Sequence, residues 1–289
     1  MKRTLYITDL DGTLLNDESK ISKETAAILN RAIAEGALFS IATARTPATV
    51  NEIMRPVNLN LPAIVMTGGA LWDTRTGAYS DVQYMDPDTA RRVVETYERY
   101  DSAAFLYTLP PATDPSLGTR KLLIYHFGEM NEYERAFMEE RLTNPFKRFE
   151  VPEDGKSALP ERIDHTVLFF GIQPTEKAEK VRGGLEEIDR INPMFYHDWF
   201  GEEIAEIEAF PLGATKAKAV RRLARQVGAE RIVVFGDNRN DISMMKVADL
   251  SVAVANAREE VKDFADIVIG ANTDDAVAKF ILQELGARS

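Results

Sequence analysis

The sequence of 289 residues contains no cysteine, so a disulfide framework and thiolate chemistry are both excluded. Basic residues are in the minority, since 35 Lys and Arg stand against 46 Asp and Glu and leave a formal net charge of −11. Nucleic-acid-binding proteins usually carry a basic surplus, so we expect no nucleic-acid partner. No apolar run approaches the roughly 18 residues of a membrane-spanning helix, so we expect no membrane partner.

The composition that remains is ordinary for a globular protein. Apolar residues make up 45% of the chain and charged residues 28%. A chain of this length can bury a sizeable core and commonly forms more than one domain. Asp9 interrupts the first apolar run too early for a signal peptide, and with the lack of cysteine this predicts a cytoplasmic location.

Both ends of the chain alternate short apolar runs with amphipathic helical segments. Such alternation predicts an α/β fold in which helices cover both faces of a parallel sheet. The helix predicted at 22–35 begins at Ser22 and stops at Gly36, and the next begins with Thr46 and Pro47. The apolar runs lie at 5–8, 38–43, 63–66, 231–237, 250–255 and 266–269.

The middle of the chain departs from this alternation. Strand-like runs and charged helical segments follow one another there without a regular order, and a Pro-rich connector lies at 109–115. We therefore predict an α+β module of residues 84–209, inserted into an α/β domain that residues 1–83 and 210–289 form together.

Polar side chains gather where the carboxyl ends of the predicted strands should meet, which is where open parallel sheets place their ligand sites. Asp9 and Asp11 are only two residues apart, and their repulsion and desolvation are costly unless a bound group offsets them. Carboxylates, an ammonium and a hydroxyl at one edge are the parts that hold a divalent cation and a phosphoryl group. The residues are Asp9, Asp11, Thr43, Ala44, Arg45, Lys216, Asp237, Asn240 and Asp241.

The residue types indicate phosphoryl chemistry more than calcium binding. Mg²⁺ prefers oxygen ligands, and one aspartate can attack phosphorus while a second, two residues on, transfers protons. An EF-hand loop would need a preceding helix and a glycine at its sixth position. Here an apolar strand precedes Asp9, and Gly12 is the fourth residue of the segment.

Four segments resemble, in this order, the four motifs of the haloacid dehalogenase superfamily of phosphohydrolases: DLDGTLL (9–15), the Thr of IATAR (41–45), Lys216 in LGATKAKAV (212–220), and FGDNRNDISMM (235–245). VAVANAREEVKDFADIVI (252–269) resembles the C-terminal signature of the Cof-type branch of that superfamily. The resemblance implies a Rossmann-like parallel-sheet core with a large α+β cap inserted between the second and third motifs.

The resemblance also implies roles for individual residues. Asp9 would be the nucleophile and Asp11 the general acid and base, with Asp241 orienting a metal-bound water or Lys216. The Mg²⁺ ligands would be Asp9, Asp237 and the main-chain carbonyl of Asp11. The phosphate ligands would be Thr43, Lys216, Asn240 and the main-chain amides near Leu10 and Ala44.

Two positions depart from the family pattern. Ala44 stands where the family usually has glycine, and alanine keeps the amide donor provided that its φ is negative. Gly68 stands where many relatives have the asparagine of an Asn-Gly-Ala segment, so that side chain is absent here.

The sequence thus predicts a Mg²⁺-dependent phosphatase that hydrolyses a small phosphorylated metabolite, such as a sugar phosphate, through an aspartyl phosphate. A phosphomutase or phosphotransferase of the same superfamily and a phosphate-binding protein without catalysis are the alternatives. A pure binder would gain nothing from the repulsion between Asp9 and Asp11, which speaks against the last. In the inserted segment, Trp199 and Arg120 are candidate contacts to the substrate.

Overall fold

The structure is a computed structural model that describes residues 2–110, 122–151, 159, 163–197 and 201–287. The chain divides into two compact units, Met1–Asp81 with Ala214–Ser289, and Val82–Gly213. The boundaries predicted from the sequence are 83/84 and 209/210. No helix in the described ranges is long and apolar enough to cross a membrane.

Strands and helices of the described residues are numbered in chain order. The strands are β1 (Thr4–Thr8), β2 (Leu38–Ile41), β3 (Ala63–Val65), β4 (Ala70–Asp73), β5 (Ala78–Ser80), β6 (Ala104–Thr108), β7 (Leu122–Phe127), β8 (Lys147–Phe149), β9 (Thr166–Pro174), β10 (Ile191–Tyr196), β11 (Ile204–Pro211), β12 (Arg231–Gly236), β13 (Leu250–Ala253) and β14 (Ile267–Val268). The helices are α1 (Lys23–Ala34), α2 (Pro47–Ile53), α3 (Pro87–Arg99), α4 (Glu132–Arg141), α5 (Thr175–Glu186), α6 (Lys216–Gln226), α7 (Ile242–Met245), α8 (Glu259–Phe264) and α9 (Ala276–Gly286).

The first unit is built on a five-stranded sheet in the order β14-β13-β12-β1-β2, in which every pair is parallel. All five residues of β1 are buried, as expected for a central strand covered on both faces. A parallel bridge between Ala42 and Ile64 leads from this sheet to an antiparallel sheet of β3, β4 and β5. The carboxyl ends of β1 and β12 therefore lie side by side.

The second unit is built on a six-stranded sheet in the order β10-β11-β9-β6-β7-β8, antiparallel except for the pair β7 and β8. Phe169 of β9 belongs to an apolar core shared with Val93 of α3 and Val181 of α5. The next residue, Phe170, packs against Phe137 of α4. Because neighbouring residues of a strand point to opposite faces, α4 covers the face opposite to α3 and α5.

The predicted α/β class with a parallel sheet is confirmed, and the differences are local. Met66, predicted as the end of the third strand, has φ of +50° and begins a turn instead. The β4–β5 hairpin, β6, β8 and β10 are strands that were not predicted from the sequence. Thr46 does precede α2, but its side chain makes no capping hydrogen bond.

Candidate active site

The loop after β1 carries the first two carboxylates of the site. The main-chain amide of Asp9 donates to the carbonyl of Phe235 at 3.0 Å, so the loop stays attached to β12. Gly12 then turns the chain with φ of +76°, a conformation that costs glycine little. A Cβ atom on Gly12 would lie 2.5 Å from Oδ2 of Asp237, so only glycine lets the two loops approach so closely.

Lys216 is the first residue of α6, and its ammonium lies between two carboxylates. The side chain is 1% exposed, and Nζ donates to Oδ1 of Asp9 at 2.5 Å and to Oδ1 of Asp241 at 2.7 Å. Burial alone would lower the pKa of Lys216, but the carboxylates of Asp241 and Asp9 outweigh it and raise that pKa above its ordinary value. Lys216 therefore carries a positive charge inside the site.

Asp241 is completely buried, and the structure engages both of its carboxylate oxygens. Oδ1 accepts from Lys216, and Oδ2 accepts from the main-chain amides of Asp237 and Asn238, each at 3.1 Å. Gly236 provides the space, because a Cβ atom there would lie 2.5 Å from Cβ of Asp241. Both oxygens are thus engaged by protein donors, which disfavours direct metal ligation, and the orienting role of Asp241 stays a prediction.

The carboxylates of Asp9, Asp237 and Asp241 offer oxygen atoms that lie within 4.8 Å of one another. Three carboxylates and the single ammonium of Lys216 leave a formal charge of −2 in this cluster. Burial raises the pKa of Asp9, with Asp241 and Asp237 adding repulsion against the attraction of Lys216. Burial likewise raises the pKa of Asp237, partly opposed by its hydrogen bond from Thr13.

The cluster fits a divalent cation by charge and by donor type. Within the described ranges, no side chain or amide hydrogen-bonds Oδ2 of Asp9 or Oδ2 of Asp237, and no amide donates to the carbonyl of Asp11. These three atoms are hard oxygen donors, and a dication would cancel the local charge. The atoms that could hold a metal are therefore Oδ2 of Asp9, Oδ2 of Asp237 and the carbonyl oxygen of Asp11.

Two loops present main-chain amides without acceptors. In the described part of the chain, the amides of Leu10, Asp11 and Ala44 donate to no carbonyl or side chain. Ala44 is not among the described residues with positive φ, so it meets the condition under which alanine can replace glycine there. Successive free amides form a concave donor surface that suits an anion such as phosphate.

Thr43 is buried beside these amides, at the carboxyl end of β2. Its hydroxyl oxygen accepts from the main-chain amide of Arg45 at 3.1 Å, which leaves the hydroxyl hydrogen available for donation. Asn240 lies in the short turn Arg239–Asp241, is exposed, and its side chain has no hydrogen-bond partner among the described residues.

The turn after β3 fixes the second loop and reaches α6. The amide of Met66 donates to the carbonyl of Arg45 at 3.1 Å, and the amide of Thr67 donates to the carbonyl of Thr43 at 3.0 Å. Gly68 has φ of +94°, and a Cβ atom there would lie 2.4 Å from the carbonyl oxygen of Thr215. The asparagine that many relatives carry at this position would therefore collide with the residue that precedes Lys216.

Asp11 does not join the buried cluster but pairs with Arg45. The guanidinium donates twice, from Nε to Oδ2 at 2.8 Å and from a terminal nitrogen to Oδ1 at 2.6 Å. Hydrogen bonding to Asp11 raises the pKa of Arg45. The Asp11 carboxylate is 49% exposed, whereas Lys216 and Asp241 are buried.

Four of the residues that the sequence predicts converge. Lys216 is hydrogen-bonded to Asp9 and Asp241, and carboxylate oxygens of Asp9, Asp237 and Asp241 lie within 4.8 Å of one another. Trp199 and Arg120 lie outside the described residues.

Thr13 has no predicted role, yet its hydroxyl donates to Oδ1 of Asp237 at 2.7 Å. Asn256 likewise has no predicted role, and its side-chain amide donates to the carbonyl of Gly12 at 2.7 Å. Both stand inside segments that had already been recognised, DLDGTLL and VAVANAREEVKDFADIVI, so their position in those segments was the available signal.

Comparisons with known proteins identify similar sequences and structures. The family model described as haloacid dehalogenase-like hydrolase matches residues 6–281. The 5-amino-6-(5-phospho-D-ribitylamino)uracil phosphatase YcsE of Bacillus subtilis is 28% identical, over 96% of this chain and 94% of that protein. The pyridoxal phosphate phosphatase YbhA of Escherichia coli is 25% identical, over 99% of this chain and 100% of that protein. A solved haloacid dehalogenase-like hydrolase from Bacteroides thetaiotaomicron matches with a TM-score of 0.73 at 21% identity, over 98% of this chain and 100% of that chain.

Proposed function

Because the chain belongs to the haloacid dehalogenase-like hydrolase family, we propose that it is a Mg²⁺-dependent phosphatase that acts on a small phosphorylated metabolite. Relatives that align with nearly the whole chain are named as phosphatases, which supports a phosphoric monoester hydrolase. The observation that carries the proposal is the buried contact of Asp9 with Lys216 beside Asp237, at the carboxyl ends of β1 and β12.

Asp9, Asp237 and the main-chain carbonyl of Asp11 would hold the metal. When bound, Mg²⁺ would neutralise negative charge on the two carboxylates and on the phosphoryl oxygens. Lys216 supplies a fixed positive charge next to the attacking carboxylate, and Asp241 holds that ammonium in place. The free amides of Leu10 and Ala44 and the hydroxyl of Thr43 would bind the remaining phosphoryl oxygens.

Asp9 would attack phosphorus with a carboxylate oxygen, so that the bond to the leaving oxygen breaks as an aspartyl phosphate forms. Asp11, protonated beforehand, would give that proton to the leaving oxygen and, as the resulting carboxylate, would then take a proton from the water that hydrolyses the intermediate. In the described conformation Arg45 holds both oxygens of Asp11. Asp11 must therefore release at least one of these hydrogen bonds when it transfers a proton.

The substrate would be a phosphate monoester with a compact organic leaving group. The two relatives above are named for a phosphorylated ribitylaminouracil and for pyridoxal phosphate. A sugar phosphate is a further candidate of the same chemical class. We also propose that the second unit, Val82–Gly213, selects the leaving group.

The test is release of inorganic phosphate from a panel of these esters, with Asp9→Asn as the catalytic control and the exposed Asp263→Asn as the matched control. We expect turnover with Mg²⁺, no turnover after chelation with EDTA, and weak turnover with Ca²⁺, which prefers more and looser ligands. Asp9→Asn should be inactive, because an amide is a poor nucleophile, and Asp263→Asn should behave as the wild type.

Three results would contradict this proposal. Full activity after exhaustive chelation would show that the enzyme does not depend on a metal. More than a tenth of wild-type activity in Asp9→Asn would show that Asp9 is not the nucleophile. Transfer of the phosphoryl group to a second substrate hydroxyl, without release of phosphate, would instead identify a phosphomutase.

A further inference from the structure

The segment after β13 joins the two acidic loops of the site through their main chains. The side-chain nitrogen Nδ2 of Asn256 donates to the carbonyl of Gly12 at 2.7 Å. Two residues further on, the main-chain amide of Arg258 donates to the carbonyl of Asp237 at 3.0 Å. One short segment therefore holds both the loop that carries Asp9 and the loop that carries Asp237.

A second asparagine fixes the orientation of the first. Oδ1 of Asn256 accepts from the main-chain amide of Asn272 at 2.9 Å, and Nδ2 of Asn272 donates to the carbonyl of Leu15 at 2.8 Å. Because Oδ1 of Asn256 already faces an amide, its nitrogen must face the carbonyl of Gly12. The asparagine pair thus fixes the loop at both Gly12 and Leu15.

Thr13 adds a direct contact between the loops. It is 1% exposed, and its hydroxyl donates to Oδ1 of Asp237 at 2.7 Å. Gly12 lies against the other oxygen, Oδ2, too closely for any Cβ atom. Because Thr13 is hydrogen-bonded to Oδ1 and there is no room for a Cβ atom between Gly12 and Oδ2, we expect a displacement of the Gly12 peptide to displace Asp237 as well.

We propose that Asn256 is a positioning residue that sets the spacing between the two acidic loops and thereby the affinity of the site for a divalent cation. The inference rests on the proposed function, because it takes Asp9 and Asp237 as the metal ligands. Without the Asn256 donor, the carbonyl of Gly12 is free to move, and the carbonyl of Asp11 moves with the adjoining peptide. Hydrogen-bond partners that orient metal ligands are typically worth about 10- to 100-fold in metal affinity.

The experiment measures Mg²⁺ binding by isothermal titration calorimetry in the absence of substrate. We expect Asn256→Ala to raise the Kd for Mg²⁺ about 10-fold or more. Asn30→Ala is the matched control, because Nδ2 of Asn30 donates to the carbonyl of Pro56 at 2.9 Å and Oδ1 accepts from the amide of Asn58 at 2.7 Å. Both variants lose one donated and one accepted hydrogen bond, so they should lower Tm alike, but only Asn256→Ala should weaken metal binding.

Asn256→Asp separates positioning from simple charge attraction and also serves if Asn256→Ala does not fold. Aspartate keeps the acceptor for Asn272 but loses the donor and repels the carbonyl of Gly12. Charge attraction alone would tighten Mg²⁺ binding, whereas positioning predicts weaker binding despite the added negative charge.

The possible outcomes distinguish the inference from the proposed function. Wild-type affinity in the folded Asn256 variants, or an equal loss of affinity in Asn30→Ala, would overturn the inference and leave the proposed function intact. A wild-type protein that binds no Mg²⁺ would overturn both.

Discussion

At the scale of single residues, the two aspartates of the first loop have opposite environments. Asp9 is buried against Lys216, whereas the Asp11 carboxylate is half exposed and held by Arg45. A nucleophile benefits from a fixed position, and a group that transfers protons must reach both the leaving oxygen and water. The difference in burial therefore matches the division of roles that we propose for the pair.

Asp11→Asn should lower kcat by about 10²- to 10⁴-fold for an alkyl phosphate, because the leaving oxygen then lacks its proton donor. Asp11→Asn should slow the formation of the aspartyl phosphate less with p-nitrophenyl phosphate than with the alkyl phosphate. The reason is that the p-nitrophenyl leaving group departs readily as an anion. Rapid-quench measurement of that step with both esters tests this. An equal loss for the two esters would contradict the assignment of Asp11 as general acid.

Lys147 in β8 is a residue of the second unit whose charge is costly. It is 9% exposed, and burial, with repulsion from Arg141, lowers its pKa from 10.5 to about 8. Between these values the unfolded chain binds a proton that the folded chain does not, so the free energy of unfolding should rise with pH from about 8 to 10.5. Below pH 8 Lys147 is protonated in both states, so its charge destabilises the folded protein to the full extent.

Lys147→Met should therefore stabilise the protein at pH 7, by about 3 kcal/mol at most, since each unit of pKa corresponds to about 1.4 kcal/mol. The difference between variant and wild type should shrink as the pH approaches 10.5. Urea unfolding at several values between pH 7 and pH 10 measures it. A difference that does not change with pH would show that Lys147 stays protonated in the folded state.

At the scale of elements, the parallel strands were predictable because each is a nearly continuous apolar run. All five residues of β1 are buried, as are Val233–Gly236 of β12. The β4–β5 hairpin was harder to recognise because its strands are short and its turn, Thr74–Gly77, depends on Asp73 accepting from the amides of Arg75 and Thr76. Strand β10 contains Pro193, which weakens a strand pattern.

Long-range side-chain contacts were not predictable from local patterns. Asp9 could be placed at the sheet edge because it directly follows strand β1. Lys216 could be placed there because it begins helix α6. The bond between Asn256 and Gly12 joins residues 244 positions apart, and no periodicity encodes it. Arg45 stood in the predicted cluster, yet its bidentate contact with Asp11 could be found only in the structure.

The turn after β3 allows a test of how one element positions another. Gly68 and Gly36 both have positive φ, +94° and +101°, but a Cβ atom meets the Thr215 carbonyl at 2.4 Å in the first case and nothing within 4 Å in the second. Gly36→Ala should cost only the conformational penalty of about 1–2 kcal/mol. Gly68→Ala should cost more and should also lower kcat, because α6 must shift at Lys216.

Thermal unfolding and steady-state kinetics of both variants measure this difference. Equal stabilities with unchanged kcat in both would mean that the Thr215 carbonyl yields without moving Lys216.

At the scale of the whole molecule, the chemistry and the choice of substrate are expected to reside in different units. Every proposed catalytic and metal-binding residue lies in Met1–Asp81 or Ala214–Ser289, whereas Val82–Gly213 has its own sheet and its own apolar core. Separate cores allow the second unit to vary in sequence without loss of the first unit's packing. This division predicts that changes in the second unit alter substrate choice more than the rate of the chemical step.

Trp199→Ala and Arg120→Ala should therefore lower kcat/KM for the preferred metabolite and leave p-nitrophenyl phosphate hydrolysis nearly unchanged. The physical reason is that contacts to a large leaving group can stabilise only a transition state that contains that group. Arg99→Ala, an exposed arginine at the end of α3, is the matched control and should alter neither rate. Steady-state kinetics with both esters measure these effects. If the Trp199 and Arg120 variants lower both rates equally, or change neither, the second unit does not select the leaving group through these residues.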